Sequence, residues 1–209
     1  MTSFFDELRR QRWDDHRYYH HSRINQSLHL LSALTFCIAY ALLFVDPASA
    51  AILAWCIAMT SRQAGHFFFE PRGYDEVNQA TDEHKEAIKV GYNIRRKIVL
   101  MSVWLLIPLA LWLQPSLFGL IVGATSVSGW LHDVGIAWLA LGATGLAFRV
   151  IQLALQQSLL TALAWMTKIL TDPFNDARLY CRAPLLLMRG GLIARTLADD
   201  ELEPVEFPQ

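Results

Sequence analysis

A long stretch with almost no charge constrains this chain more than any other feature. Between Ile98 and Phe148 the only formally charged residue is Asp133. A helix at the surface of a water-soluble protein needs a polar face, which this stretch does not supply. The 209-residue chain is 54% hydrophobic, with a mean hydropathy of +0.27. We therefore expect an all-α membrane protein with a single domain over residues 1–209.

Six segments approach the length of about 20 mainly apolar residues that a membrane-spanning helix requires. They are residues 26–45, 48–69, 98–113, 116–131, 134–149 and 150–167. Only a few residues separate the first two segments, which predicts an antiparallel helical hairpin over residues 26–70. Three glutamines dilute the last segment, so the predicted bundle has six spans, or five if that segment lies in the membrane interface.

Basic residues are concentrated in three regions that indicate an orientation. The first 23 residues contain five Arg, residues 71–97 contain six Lys or Arg, and residues 168–209 contain five. With six spans all three regions fall on the same side of the membrane, and basic loops mark the cytosolic side. We expect a cytosolic amphipathic helix over residues 1–25, a cytosolic loop over residues 71–97 and a cytosolic tail. Within the loop we expect a surface helix over residues 82–97, with Glu86 and Lys89 spaced for an i, i+3 ion pair. The membrane would be the cytoplasmic membrane of a bacterium or the endoplasmic reticulum of a eukaryote.

Several function classes find no support in the sequence. The net charge of −1 gives no basis for a nucleic-acid partner. The three cysteines are widely spaced without a Cys-x-x-Cys pair, which argues against a disulfide framework or a zinc ribbon. No Gly-x-Ser-x-Gly element or phosphate-binding glycine loop is present. The acidic residues of the N-terminal region and the lack of a cleavage site argue against a signal peptide.

The sharpest candidate site lies at the end of the second apolar segment. Gln63, His66 and Glu70 are spaced i, i+3 and i+7, which places them along one stripe of a helix. His66 could bind a metal, with Glu70 as a second ligand or as the acceptor for the ring N–H. The alternative is a helix end whose polar residues lie among lipid headgroups.

A second candidate stretch precedes the first apolar segment. Asn25 and His29 are i, i+4 and share a helix face. His20 and His29 are nine residues apart, which puts them on opposite sides of a straight helix. Both can bind one metal only if the chain breaks between them, and Ser22 or Asn25 could cap a new helix there. His21 is an alternative to His20 that helix phase does not exclude.

Two further histidines could complete the ligand set on the same cytosolic face. His84 lies in a charged stretch, where a solvated surface histidine is the alternative interpretation. His132 precedes Asp133 between apolar segments, where polar residues are expected in any case. Histidine ligation without thiolates suits iron or zinc, and Fe(II) is favoured where oxygen chemistry is involved.

At these two stretches the sequence resembles the 2-hydroxy fatty acid dioxygenase family, which consists of membrane proteins of fatty acid α-oxidation. The first family signature matches Tyr18 or Tyr19, His20, Asn25 and His29. The second matches Gln63, Gly65, His66 and Glu70. The chain departs from the family pattern at Ser22-Arg23, where the family usually has Asn-Pro, and at Leu34, where it usually has Pro. The resemblance covers residues 18–70 and implies a divergent member.

The resemblance implies an Fe(II)-dependent dioxygenase that uses O2 to shorten a 2-hydroxy fatty acid by one carbon. It implies His20, His29 and His66 as iron ligands, with Glu70, Gln63 and Asn25 assisting. Arg62, Arg72 or Lys97 could pair with the substrate carboxylate. Two other classes stay open: a non-enzymatic metal- or lipid-binding membrane protein, and another iron–oxygen enzyme that modifies lipids.

Overall fold

A computed structural model describes residues 3–70, 73–91 and 94–194 of the chain. Within these residues 78% are helical and no strand forms, which confirms the all-α prediction. The helices are α1 Phe4–Tyr19, α2 Arg23–Leu42, α3 Pro47–Leu53, α4 Thr60–Ala64, α5 Asp82–Ile88, α6 Ile94–Leu113, α7 Val127–Gln156, α8 Leu159–Leu179 and α9 Ala183–Met188.

The chain breaks between α1 and α2, as the spacing of His20 and His29 requires. α1 ends at Tyr19, and the side chain of Ser22 caps α2 by accepting from the amide N–H of Asn25. Residues 192–194 pair with the backbone of the break: the amide of Arg23 donates to the carbonyl of Leu192 at 2.9 Å. The break is therefore a defined turn that backbone hydrogen bonds to residues 192–194 hold in place.

A continuous helical stretch from Pro47 to Phe69 packs along α2 in the opposite direction, in the region where the sequence predicted a hairpin. Asp46 caps its start by accepting from the amide of Ser49. Two segments of this stretch, Ala54–Met59 and Gly65–Phe69, have the wider π-helical turn. Such turns are rare and frequently occur at functional sites. The second one contains His66.

The polar segment after the hairpin folds back onto α1. Tyr19 donates a hydrogen bond from its hydroxyl to the carbonyl of Lys85 at 2.6 Å, and Asn78 donates to the carbonyl of Arg17 at 2.7 Å. The sequence suggested a surface helix over residues 82–97, but α5 already ends at Ile88. The predicted pair of Glu86 and Lys89 forms, with 3.1 Å between the charged atoms.

Three predicted boundaries in the apolar region are wrong, and one of them lies between residues 149 and 150, where α7 continues to Gln156. Residues 116–131 do not form one helix, because a short 3₁₀ turn at Leu117–Gly119 precedes α7, which starts after the cap residue Ser126. α7 then runs without interruption through His132 and Asp133. Side chains at that point can be polar without ending the helix, since 63% of the His132 side chain is exposed.

Two helices of the described chain are long and apolar enough to cross a membrane, by length and composition: Arg95–Leu113 and Val127–Gln156. Only 6% of the apolar stretch of the first helix and 22% of that of the second are buried inside the protein. These helices are therefore not the buried core helices of a water-soluble domain. The other predicted spans do not meet this criterion within the residues that the structure covers. The helices α6 and α7 pack on each other. α6 also contacts the hairpin, where the ring of its Trp104 stacks on the ring of Trp55.

Candidate metal centre

His20, His29 and His66 converge on one point although they lie on three different segments. One nitrogen atom of each ring lies within 4.8 Å of a nitrogen of both others. The Nε2 atoms of His20 and His29 are 3.1 Å apart, and the ring centroid of His66 is 5.3 Å and 5.0 Å from theirs. His20 and His29 are fully buried, and His66 is partly buried. This group could hold a metal ion.

The outer nitrogen of each ring faces an oxygen atom. His20 donates from Nδ1 to the backbone carbonyl of Asp15 at 2.9 Å, and Nδ1 of His66 lies 2.7 Å from Oε2 of Glu70. Nδ1 of His29 lies 3.6 Å from Oδ2 of Asp176. Histidines that bind metals almost always present their second ring nitrogen to a carboxylate or a carbonyl in this way.

The protonation of His20 and His29 indicates whether a cation fits between their Nε2 atoms, which lie 3.1 Å apart. Because Nδ1 of His20 donates to a carbonyl, Nε2 of its neutral ring is an acceptor. If His29 carries its proton on Nδ1, two lone pairs face each other. If it carries the proton on Nε2, its Nδ1 lone pair faces the carboxylate of Asp176 instead. Nδ1 of His29 is buried without a hydrogen bond in the described part of the chain. A cation bound at both Nε2 atoms removes this mismatch, so the residues fit a metal.

The amides of the break hold His20 in place. Asn25 donates from Nδ2 to the carbonyl of Tyr19 at 2.7 Å, and Gln26 donates from Nε2 to the carbonyl of His20 at 2.8 Å. Gly65 allows the hairpin to approach this turn, since a Cβ atom there would lie 2.1 Å from Oδ1 of Asn25. Asn25, predicted to assist in catalysis, is thus a residue that shapes the turn between two of the histidines.

Burial keeps His20 in its neutral form. Removal from water, followed by the nearby imidazole of His29, lowers the pKa of His20 well below its usual range. A neutral imidazole is the form that binds metals. The site is therefore prepared for a metal without a competing proton on His20 near neutral pH.

A buried ionic network lies behind the histidines and joins α1, the hairpin and α8. Its ion pairs are Arg62–Asp176 at 3.1 Å, Arg62–Asp172 at 3.6 Å, Lys168–Asp172 at 2.7 Å, Lys168–Asp15 at 3.0 Å and Arg12–Asp172 at 3.7 Å. Three cations thus face three carboxylates. Burial raises the pKa of Asp172. The network holds Asp176 beside His29. It also fixes the position of α1, whose C-terminal cap residue is His20.

The contribution of α8 differs from the sequence prediction, which places residues 168–209 in a cytosolic tail. Lys168, Asp172, Asp176 and Tyr180 are spaced i, i+4, i+8 and i+12, a stripe that is visible in the sequence. Tyr180 is buried, with its ring centroid 6.0 Å from that of His20 and its hydroxyl 3.0 Å from Nδ1 of His16. The stripe was the signal that could have identified these residues.

An apolar cavity of 440 Å³ adjoins the centre at His66. Trp55, Leu100, Met101 and Trp138 are among its apolar lining residues. This volume lies in the range of small-molecule sites in proteins, about 300–1,000 Å³. Gln63 also lines the cavity, and its Oε1 is buried without a hydrogen-bond partner in the described residues. The cavity offers one end with polar groups and an extended apolar wall.

The structure does not bring all predicted site residues together. His84 and His132 lie outside the three-histidine group: His84 is exposed beside Tyr18, and His132 is exposed beside Asp133. His21 points elsewhere, with Nδ1 2.9 Å from the carbonyl of Arg17.

The two predicted carboxylate-binding arginines have different outcomes. Arg62 lines the cavity but is already paired with Asp172 and Asp176, so it is not free for a substrate carboxylate. Arg72 lies outside the described residues.

Comparisons with family models, with curated proteins and with solved structures find no match for this chain.

Proposed function

We propose that this chain is a membrane-bound, Fe(II)-dependent dioxygenase that shortens 2-hydroxy fatty acids by one carbon. The observation that carries the proposal is the convergence of His20, His29 and His66 beside an apolar cavity. A metal centre next to an apolar cavity suits oxidation of a lipid close to its polar head. The resemblance of both histidine stretches to the 2-hydroxy fatty acid dioxygenase family supports the same reaction.

The overall reaction balances with O2 as the only co-reactant. The bond between C1 and C2 of the acid breaks, C1 leaves as CO2, and C2 becomes the carboxyl carbon of the shortened acid. The two carbons lose four electrons, which reduce O2, and one water is formed. His20, His29 and His66 would hold the iron, and three protein ligands leave positions for other groups. When bound, Fe(II) supplies the electron transfer that allows O2 to react with a closed-shell acid.

The protein's own groups have distinct roles in this proposal. Glu70 and the carbonyl of Asp15 orient the rings of His66 and His20. The orphaned Oε1 of Gln63 is an acceptor in the cavity wall, and we assign it to the 2-hydroxyl of the substrate. The apolar wall around Trp55 and Trp138 takes the hydrocarbon chain and keeps water away from it.

Membrane attachment is supported by the two long apolar helices, whose outer faces carry many exposed large side chains, among them Val99, Leu105, Leu106, Leu109 and Trp112. Such a surface is stable in lipid and costly in water. The finer arrangement stays a prediction: six spans with both termini in the cytosol, or five spans if residues 150–167 lie in the membrane interface. A cysteine-reporter map of accessibility tests it, and a reporter at the exposed position 9 on the opposite side from one at position 189 would contradict the six-span arrangement.

The direct test of the reaction is incubation of the purified, iron-loaded protein with 2-hydroxypalmitate and O2. The proposal predicts pentadecanoate and CO2 in equal amounts, with none formed from palmitate. The variant His84→Ala is the matched control, because it removes an exposed histidine outside the centre. Absence of a shortened acid from every 2-hydroxy acid tested would favour a non-enzymatic metal- or lipid-binding protein. A hydroxylated or desaturated lipid product would indicate the other iron–oxygen class.

A further inference from the structure

Lys97 is the cavity-lining cation that makes no ion pair among the described residues, and the carboxylates of Glu70 and Asp15 act on its charge only from beyond ion-pair distance. Three other basic side chains line the same cavity, and each is paired. Arg62 faces Asp172 and Asp176, Lys168 faces Asp15 and Asp172, and Lys89 faces Glu70 at 2.9 Å. Lys97 is only partly exposed and makes no ion pair or hydrogen bond of its own within the described chain.

The position of Lys97 in its helix adds to the positive charge at this end of the cavity. Lys97 lies in the first turn of α6, where the helix dipole already presents positive charge and disfavours cations. No acidic residue occupies that turn, and the exposed Arg95 adds further positive charge. A cation at the wall of an apolar cavity is costly unless an anion pairs with it. The region therefore favours an anionic ligand in the cavity.

We propose that Lys97 binds the carboxylate of a long-chain acid whose hydrocarbon chain occupies the cavity. The inference deepens the proposed function and rests on it for the identity of the acid. It favours Lys97 over Arg62, since Arg62 is held between two carboxylates, whereas Arg72 lies outside the described residues. The ammonium group of Lys97 supplies one positive charge without an ion pair, which suits the single negative charge of a carboxylate. A phosphate monoester carries about 1.5 to 2 negative charges.

The apolar part of the ligand is defined by the rest of the lining. Beyond Lys97 on the same helix, Leu100 and Met101 line the cavity, and Trp138 of α7 lines it as well. Met101 and Trp138 belong to the main apolar cluster of the protein, so the cavity wall there is supported by packing. A straight hydrocarbon chain has the chemistry for this wall, and a sugar or a nucleotide does not.

The experiment measures binding to the metal-free, detergent-solubilised protein by calorimetry, so that it does not depend on the metal centre. The probes are octanoate and 1-octanol, which share a chain length and differ in charge. The variants are Lys97→Met and, as a matched control, Arg95→Met, which removes an exposed cation from the same turn without changing the cavity wall. Wild type is expected to bind octanoate more tightly than 1-octanol by about tenfold or more.

Lys97→Met should weaken octanoate binding by about tenfold while 1-octanol binding stays within about twofold, which also shows that the cavity is intact. Arg95→Met should bind both probes as the wild type does. Equal binding of the two probes by wild type, or equal weakening of both by Lys97→Met, overturns the proposal. Octanoate selectivity in a protein that binds no iron would leave this inference standing and contradict only the proposed reaction.

Discussion

The Nε2 atoms of His20 and His29 lie 3.1 Å apart, although a straight helix would place these residues on opposite sides. The turn between α1 and α2 brings the two rings to the same side. Neither neutral tautomer of His29 suits all of its neighbours, because either Nε2 faces an acceptor on His20 or Nδ1 faces the carboxylate of Asp176. The sequence thus builds a pair of buried nitrogens that a cation stabilises.

The close approach of Gly65 to Asn25 predicts a coupled pair of substitutions. Gly65→Ala introduces a methyl group 2.1 Å from Oδ1 of Asn25 and should destabilise the protein by about 1–3 kcal/mol. Asn25→Ala removes the obstructing atom, so the double variant should be more stable than the sum of the two single effects. Denaturant unfolding of all four proteins measures this coupling. Strict additivity would contradict the described contact.

Asp176 is expected to orient His29 for metal binding. Asp176→Asn should weaken binding of Zn²⁺ or Fe(II) by about 10- to 100-fold, because the second ring nitrogen of His29 loses its charged partner. Asp133→Asn is the matched control, since Asp133 lies beside the exposed His132. Metal titration with both variants decides the point. Unchanged affinity in Asp176→Asn would rule out this role for the carboxylate.

Gln63 is expected to recognise the hydroxyl group of the substrate. Gln63→Leu keeps a similar size but removes the buried acceptor in the cavity wall. Wild type should bind 2-hydroxyoctanoate more tightly than octanoate, and the variant should lose about 1–2 kcal/mol of that preference. Calorimetry on the metal-free proteins measures both affinities. The same preference in wild type and variant would show that another group binds the hydroxyl.

The buried state of His20 predicts a pH dependence of stability in the metal-free protein. Burial lowers the pKa of His20 in the folded state below the value of about 6.5 in the unfolded chain. Below that pH the unfolded state binds a proton that the folded state does not, so stability falls as pH decreases. Between pH 6.5 and 5.5 the loss due to His20 should be about 1 kcal/mol. Unfolding of wild type and His20→Gln at both pH values measures it, and identical pH slopes would contradict it.

The features of the metal centre that could be predicted from the sequence are those set by residues close together in the chain. The turn between His20 and His29 follows from helix periodicity and a capping serine, and the contact of His66 with Glu70 follows from their spacing. Sequence periodicity assumes regular α-helices, so the π-helical turn at Gly65–Phe69 could not be anticipated.

The contribution of α8 depended on tertiary structure. The stripe of Lys168, Asp172 and Asp176 is visible in the sequence, but a charged stripe has the same pattern whether it faces water or a buried partner. Only the fold shows that Arg62 and Asp15 complete it. The polar pair His132 and Asp133 likewise suggested a link between helices, although the continuous helix α7 carries both, with His132 exposed and Asp133 partly buried.

The central claim, that His20, His29 and His66 bind one metal ion, is tested most directly by the metal content of the purified protein. Mass-spectrometric metal analysis of wild type should give about one iron per chain after anaerobic loading, and His66→Ala should retain less than about a tenth of it. His132→Ala, which removes an exposed histidine, should load like the wild type. Equal iron in wild type and His66→Ala would contradict the account.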